Sequence, residues 1–354
     1  MIEPFADASP QTLSLFDAVI DVRSPAEFSE DRLPGAINLP VLSNEERAEV
    51  GEIYVQQSRF LARRIGAAHV ARNVARHLDE ALSDRDAKYR PLLYCWRGGM
   101  RSGSMATILS QIGWRVGVLQ GGYKTWRHEV VEGVSGNGEP FPLILLDGET
   151  CTAKTAILNE LKKLGVQTID LEGLAAHKGS VFGADPESAQ PKQKHFESLL
   201  WDELRKSDQT RPIIVEAESS RIGDIVIPKR MWSSMRAAPR IFVSAPVEAR
   251  ARYACENYSD FIRQPGAIDA ALSRLKPFHS KERIARWRSL AEEGALQTLA
   301  AELMVDHYDP RYQKARQRGG ENSINIAMSG LGAGELQTAA QKIAETLATN
   351  TVTS

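Results

Sequence analysis

Short apolar runs alternate along the chain with longer stretches of mixed polarity. "AVIDV" (18–22), "PLLYC" (91–95) and "WRVGVLQGG" (114–122) have strand length and end where polar residues or glycines begin. The stretches 45–82 and 102–111 read as helical. Strands alternating with helices predict a parallel sheet with helices on both faces. "EGVSGNGEPFP" (132–142) is rich in Gly, Pro and Ser and marks a linker. A second series follows: "LILLDG", "VQTIDL" (166–171), "PIIVEAE" (212–218) and "RIFVSA" (240–245), again with helical material between. Beyond Pro246 the pattern is mainly helical, up to a last strand within "ENSINIAMSG" (321–330). The expected organisation is an α/β domain over 1–133, a linker over 134–142 and a second α/β domain over 143–245. A mainly helical part, 246–354, carries the last strand near 322–329. The tail "ATNTVTS" is expected to fray.

A length of 354 residues fits two or three domains. With 42% hydrophobic and 25% charged residues the chain has the composition of a soluble globular protein. No apolar run reaches the length of a membrane span, and the N-terminus lacks a basic region before its apolar residues. Three scattered cysteines exclude a disulfide framework. The expectation is a cytoplasmic enzyme or binding protein with no membrane partner. Net charge is −1, so no global charge calls for nucleic acid, but the charge is unevenly spread. Residues 53–78 hold Arg59, Arg63, Arg64, Arg72 and Arg76 and no acid; residues 273–290 hold six Lys or Arg and one Glu. A third cluster is Arg311, Lys314, Arg316 and Arg318. Local patches of this kind can hold a polyanion without a basic isoelectric point; the plainer alternative is solvated helix faces.

Cys95 ends a strand and is followed by "WRGGMRSGSMATIL". Gly98 and Gly99 let the backbone curl tightly before a helix begins, so that successive N–H groups converge on one point. Trp96, Arg97, Met100, Arg101 and Ser102 complete this anion loop. The same field stabilises a thiolate, which makes Cys95 the candidate nucleophile. Cys95 and Arg101 also form C-x5-R, the spacing of cysteine-dependent phosphatases, and the local residues leave phosphoryl transfer and sulfur-type transfer both open.

"LLDGETCTAKT" (145–155) has Gly148, four residues, Ala153, Lys154 and Thr155. A phosphate loop reads G-x-x-x-x-G-K-[ST], so the second glycine is missing. Lys154 is a point charge for phosphate oxygens; Thr155, like Thr150, offers a hydroxyl, in its case to phosphate or Mg²⁺. If position 153 takes a positive φ, alanine there costs about 1 kcal/mol. Cys151 reads as a small apolar residue in preference to a redox thiol. Glu216 and Glu218, ending "IIVEAE", are candidates for a metal-linked carboxylate. Lys178, Ser180 and Arg221, with Lys192 and Lys194, are further candidate phosphate ligands.

"VIDVRSPAEF", "RLPGAINLP", the Cys95 loop and "LQGGYKTW" resemble a rhodanese domain, with Arg32 where many such domains have histidine. With "DLEGLAAHKGSVFG", "QPKQKHFE", "VEAESSRIG" and "HYDPRY" following in order, nearly the whole chain resembles the bacterial tRNA 2-selenouridine synthase family. The resemblance implies a rhodanese-like domain followed by a P-loop NTPase-like domain. It implies a tRNA-modifying transferase acting on the wobble 2-thiouridine of the anticodon stem-loop. Geranyl diphosphate first alkylates the sulfur, and selenium from selenophosphate then replaces it. Cys95 would carry selenium as a selenenylsulfide, and the Gly148–Thr155 loop would hold the diphosphate of geranyl diphosphate rather than ATP. Selenophosphate synthetase is a candidate partner, and a Mg²⁺ requirement stays open. The tRNA is expected on the helical part, at Arg274, Lys276, Lys281, Arg283, Arg286, Arg288, Arg311 and Lys314, with Trp287, Phe278, Tyr308 and Tyr312 as aromatics. The alternatives are a sulfurtransferase relay with a kinase-like second domain, and a non-catalytic binder with a vestigial loop.

Overall fold

The computed structural model describes residues 1–177, 189–311 and 323–350. Two compact units are present: 1–138 with 192–202, and 139–191 with 203–354.

The first unit is built on a parallel sheet of β1 (Ile2–Phe5), β2 (Ala18–Asp21), β3 (Ile37–Asn38), β4 (Pro91–Tyr94) and β5 (Val116–Leu119), in the order β1-β5-β4-β2-β3. Every residue of β4 is buried, as a parallel strand covered on both faces must be. The expected strands at 18–22, 91–95 and 114–122 are all here. β1 and β3 were not expected. β1 is an edge strand whose residues alternate between exposed and half-buried, so no apolar run announces it. The helical stretch 45–82 is two helices, Asn44–Gln56 and Arg59–Asp79, because Ser58 caps the second by accepting from the Leu61 N–H.

Two buried acids organise this unit. Asp21 takes the Arg23 guanidinium at 2.6 Å, and Arg23 also donates to the Asp31 carbonyl and lies over the Tyr123 ring. Asp31 accepts from the Tyr123 hydroxyl at 2.8 Å and the Ser198 hydroxyl at 3.0 Å, with His195 Nδ1 at 3.4 Å. Residues 192–202, which the sequence pattern placed in the second domain, therefore group with the first. Trp126 Nε1 donates to Ser198, and Trp201 Nε1 to Glu129.

The second unit has a parallel sheet of β6 (Leu143–Gly148), β7 (Thr168–Ile169), β8 (Ile213–Glu216), β11 (Arg240–Ser244) and β12 (Ser323–Ala327), ordered β12-β11-β6-β8-β7. Between β8 and β11 a two-stranded antiparallel ribbon is formed by β9 (Arg221–Ile222) and β10 (Ile225–Val226). The expected last strand is β12. Leu146, Ile157, Leu161, Ile214, Val243 and Ile343 share one core. A smaller core in the helical part holds Leu272, Ile284, Trp287 and Leu299. Trp287 is fully buried, which removes it from the aromatics available to a base. Tyr312 and the tail beyond Asn350 lie outside the described residues. In both sheets the central strand, β4 or β6, delivers its loop to the carboxyl edge, where ligands bind in open α/β sheets.

Removing one member of a buried ion pair strands the other charge. Asp21→Ala should lower the unfolding free energy of the first unit by about 3–5 kcal/mol, read from urea denaturation. Asp21→Leu combined with Arg23→Met should restore most of it.

Candidate functional site

Cys95 lies at the end of β4, 3% exposed, on the floor of an open cleft of about 640 Å³. The Gly99 N–H and the Ser102 hydroxyl each point at its sulfur from 3.3 Å. Burial alone would raise the thiol's pKa, but the Ser102 hydroxyl and the backbone N–H groups of Ser102, Arg97 and Gly99 outweigh it, and the net shift is downward. A thiolate is thus favoured where the helix Met100–Ile112 begins. Two glycines are obligatory. Gly98 has φ +62°, and a Cβ there would stand 2.5 Å from the Leu119 carbonyl oxygen; one on Gly122, at φ +60°, would stand 2.2 Å from the carbonyl of Cys95 itself.

Trp96, Arg97 and Met100 are exposed and line the cleft, and Trp96 leans on Tyr123 with ring centroids 5.2 Å apart. Arg101, the residue a cysteine phosphatase would aim at its phosphate, is paired with Glu27 at 2.7 Å. Arg32 packs its guanidinium over Phe28, a local surface contact.

The second loop joins β6 to the helix Lys154–Lys163. Cys151 and Ala153, standing where glycines are expected, both take positive φ, 61° and 58°. The loop has kept a glycine conformation without the glycines, at roughly 1 kcal/mol each. Gly148 cannot be replaced in the same way, because a Cβ there would meet the Val243 carbonyl at 2.6 Å. Burial pushes the Cys151 thiol up to about 11, so it stands as a neutral apolar group.

Around Lys154 and Thr155 the acids are unusual. Glu218 is pushed up to about 8 by burial and by the neighbouring Glu172, with which it shares a hydrogen bond. Burial raises Glu172 too, against the pull of Lys154, and its carboxylate lies 3.4 Å from the Thr155 hydroxyl. Glu216 is fully buried, accepts from the Leu171 N–H and is raised well above the carboxylate range by burial. Its second carboxylate oxygen, Oε1, is buried without a hydrogen-bond partner among the described residues. Arg221 is exposed on the β9–β10 ribbon. Lys178 and Ser180 lie outside the described residues. Lys194 and Glu30, both in the first unit and both about half exposed, are paired at 3.1 Å.

Residues 6–129 match the rhodanese-like domain, and residues 141–277 match the tRNA 2-selenouridine synthase AAA domain. A tRNA 2-selenouridine synthase of Chromohalobacter salexigens is 32% identical over 348 residues, covering 90% of this chain and 93% of that one. The chain belongs to the tRNA 2-selenouridine synthase family. Another relative of that name, from Nitrosomonas europaea, is 33% identical and covers 82% of this chain and 77% of its own. One from Shewanella loihica is 35% identical over 68% of this chain and 64% of its own.

Within this family frame, three motifs that carry little local chemistry acquire physical roles. "DLEG" supplies Glu172 opposite Thr155. "QPKQKHFE" supplies His195 to Asp31. "HYDPRY" supplies Asp309, whose carboxylate binds the Arg250 guanidinium at 2.8 and 2.9 Å; Arg250 in turn donates to the Thr150 carbonyl at 3.3 Å and meets Glu149 at 3.4 Å. Arg250 is 3% exposed, so this clamp fixes the loop from beneath. Neither Arg250 nor Asp309 was singled out from the sequence, because their partners are distant in the chain.

In the helical part Arg274, Lys276, Lys281, Arg283 and Arg286 are exposed. Arg283 is paired with Asp306, Arg286 with Glu302 and Arg288 with Asp269. Arg311 contacts His307 and covers the Phe278 ring. Lys314 lies outside the described residues.

Since hydrogen bonds to sulfur lower the Cys95 pKa, its alkylation rate should reach half its maximum below the ordinary thiol value of about 8.5. Ser102→Ala should move that midpoint upward, and below it the rate should fall as thiolate is lost. Rates of iodoacetamide labelling across pH, read by peptide mass, check both.

Proposed function

We propose that the chain converts the wobble 2-thiouridine of tRNA to 2-selenouridine in two steps, one on each unit. In the first, the Gly148–Thr155 loop holds geranyl diphosphate while the thiocarbonyl sulfur attacks its first carbon; a C–S bond forms, the C–O bond breaks and diphosphate leaves. Lys154 faces the leaving oxygens, and the Thr150 and Thr155 hydroxyls flank them. In the second, the Cys95 thiolate takes selenium from selenophosphate: an S–Se bond forms as the P–Se bond breaks, and its electron pair leaves on phosphorus as phosphite. The terminal selenium attacks the ring carbon that bears the alkylated sulfur; a C–Se bond forms, the C–S bond breaks and geranyl thiolate departs. A reducing thiol then cleaves the S–Se bond, leaving the selenocarbonyl on the base and Cys95 in a mixed disulfide that a second thiol reduces. The order has a chemical reason: a thiocarbonyl sulfur is a poor leaving group, and alkylation turns it into a good one. A selenophosphate synthetase is the natural supplier, and a tRNA substrate places the work in the cytoplasm. Among the described residues no helix is long and apolar enough to cross a membrane.

The observation that carries this reading is the Cys95 sulfur held by the Gly99 N–H and the Ser102 hydroxyl within an open cleft. A polarisable selenium anion bonded to that sulfur would sit among the same donors. A Mg²⁺ ion accompanying the diphosphate would be held by the Thr155 hydroxyl and the substrate phosphates, with the Glu172 carboxylate 3.4 Å from that hydroxyl. Among the described residues no group of three His, Cys, Asp or Glu is arranged to hold a metal.

The tRNA backbone has two candidate surfaces. In the helical part Arg274, Lys276 and Lys281 remain for phosphate contacts, while its Arg283, Arg286 and Arg288 are already matched by acids. In the first unit Arg59, Arg63, Arg64 and Arg76 are exposed on the helix Arg59–Asp79, and among the described residues no carboxylate pairs with them. That helix is therefore the stronger phosphate-binding face.

Mass analysis of thiolated tRNA incubated with geranyl diphosphate and then selenophosphate tests the scheme. Cys95→Ala should geranylate as wild type does and produce no selenouridine. Lys154→Ala should lose most geranylation, by at least ~100-fold for a lost charge on the leaving phosphate, and still selenate pre-geranylated tRNA. Turnover of thiosulfate and cyanide with unmodified tRNA would favour a sulfur relay instead.

A further inference from the structure

The loop that holds Cys95 is spaced for two kinds of chemistry. Cys95 and Arg101 stand as C-x5-R, the spacing with which a cysteine phosphatase brings its thiolate to phosphorus and closes an arginine on the phosphate oxygens. The backbone meets that design as well, because the N–H groups of Arg97, Gly99 and Ser102 converge on the sulfur. The arginine departs from it. Arg101 commits both terminal nitrogens to one carboxylate, Nη1 to Glu27 Oε2 at 2.7 Å and Nη2 to Glu27 Oε1 at 3.3 Å. Each of the two side chains is only about a fifth exposed.

Glu27 is itself well fixed. It lies in the short helix Pro25–Glu30, where its Oε2 also accepts the Ser24 N–H at 3.1 Å. Arg47 Nε stands 3.9 Å from the same oxygen. Burial would raise the Glu27 pKa, but the hydrogen bonds and charge of Arg101 outweigh it, and the carboxyl stays below its ordinary value. Glu27, Arg47, Arg97 and Arg101 all line the cleft that holds Cys95, and Arg47 and Arg97 are exposed.

Selenophosphate can meet a thiolate at either of two atoms. Attack on selenium forms the S–Se bond and leaves the electron pair of the broken P–Se bond on phosphorus, as phosphite. Attack on phosphorus forms an S–P bond, and the P–Se pair stays on selenium, which takes a proton from water and departs as hydrogen selenide. Water then cleaves the S–P bond, giving phosphate and the free thiol, and no selenium is carried. Which atom faces the sulfur depends on where the oxygens are held. An arginine closed over the loop would draw the oxygens to the loop and present phosphorus. An arginine tied to a carboxylate leaves the oxygens to the two exposed arginines, and selenium then points at the sulfur.

We infer that Glu27 is a positioning residue that sets this choice: by holding Arg101 it makes selenium, rather than phosphorus, the atom that Cys95 attacks. The inference rests on the proposed reading of Cys95 as selenium carrier. It adds the reason that a phosphatase spacing does not lead to phosphoryl transfer here.

The test is a single-turnover reaction of the full chain with selenophosphate. Phosphite and phosphate are measured by phosphorus nuclear magnetic resonance, and the Cys95 peptide is read by mass spectrometry. Cys95→Ala supplies the background of uncatalysed hydrolysis. Wild type should yield phosphite, with selenium on Cys95. Glu27→Gln keeps an acceptor for the Ser24 N–H and removes the charge. Its phosphite-to-phosphate ratio should fall at least ~10-fold, the size of one hydrogen bond to a charged group. Arg101→Met removes the arginine that Glu27 restrains, so phosphite should stay in excess. Glu27→Gln combined with Arg101→Met should give that same ratio. A Glu27→Gln ratio equal to that of wild type, whatever the rate, overturns the inference. So does an Arg101→Met protein that makes mainly phosphate, a result that decides the matter even where Glu27→Gln does not fold. A wild-type chain that yields neither phosphite nor selenium on Cys95 overturns the carrier reading itself, and the inference with it.

Discussion

Both candidate sites depend on one constraint. A chain that leaves the carboxyl edge of a central parallel strand and enters a helix within a few residues must turn its N–H groups toward a common point. After β4 those groups converge on the Cys95 sulfur and lower its pKa against the effect of burial. After β6 the same construction shapes the Gly148–Thr155 loop, which we propose as the phosphate cradle. The turns are tight enough to dictate backbone conformation, and the chain meets that demand in two ways. Around Cys95 it uses glycines that nothing larger can replace, since a Cβ on Gly98 or Gly122 would strike a carbonyl oxygen. In the second loop it forces Cys151 and Ala153 into the same left-handed region and holds them there with the Arg250–Asp309 clamp.

The consequence is a division of electrostatic character. The first site is tuned to keep a charge, because its sulfur is surrounded by donors. The second combines a lysine with two acids whose carboxyl groups burial raises: Glu218 is pushed up to about 8, and Glu172 is raised beside it. A lysine faced by two full carboxylates would be cancelled as a phosphate ligand; faced by a pair that shares a hydrogen bond and is short of charge, it keeps much of its field for an incoming anion.

How much of this could be read in the sequence followed from range along the chain. Cys95, Gly98, Gly99 and Ser102 lie within eight consecutive residues, so their chemistry was visible, as was the loop from Gly148 to Thr155. The alternation of apolar runs located β2, β4, β5, β6, β7, β8, β11 and β12. It missed β1, an edge strand that needs no buried run, and β3, β9 and β10, which are only two residues long. Long-range pairs left no local trace: Glu172 with Glu218, Arg250 with Asp309, and Asp31 with His195 are separated by tens of residues or more. The pairing within the helical part was hidden for the same reason. Its basic residues are conspicuous in the sequence, but the acids that match Arg283, Arg286 and Arg288 are scattered from Asp269 to Asp306.

The central claim is that Cys95, and no other thiol, is the selenium carrier. Intact and peptide mass spectrometry of the chain after exposure to selenophosphate tests it directly. The account predicts one selenium atom on the peptide containing Cys95, retained in Lys154→Ala and absent from Cys95→Ser. Selenium on Cys151 or Cys255, or a Cys95→Ser protein that still acquires it, would contradict the account.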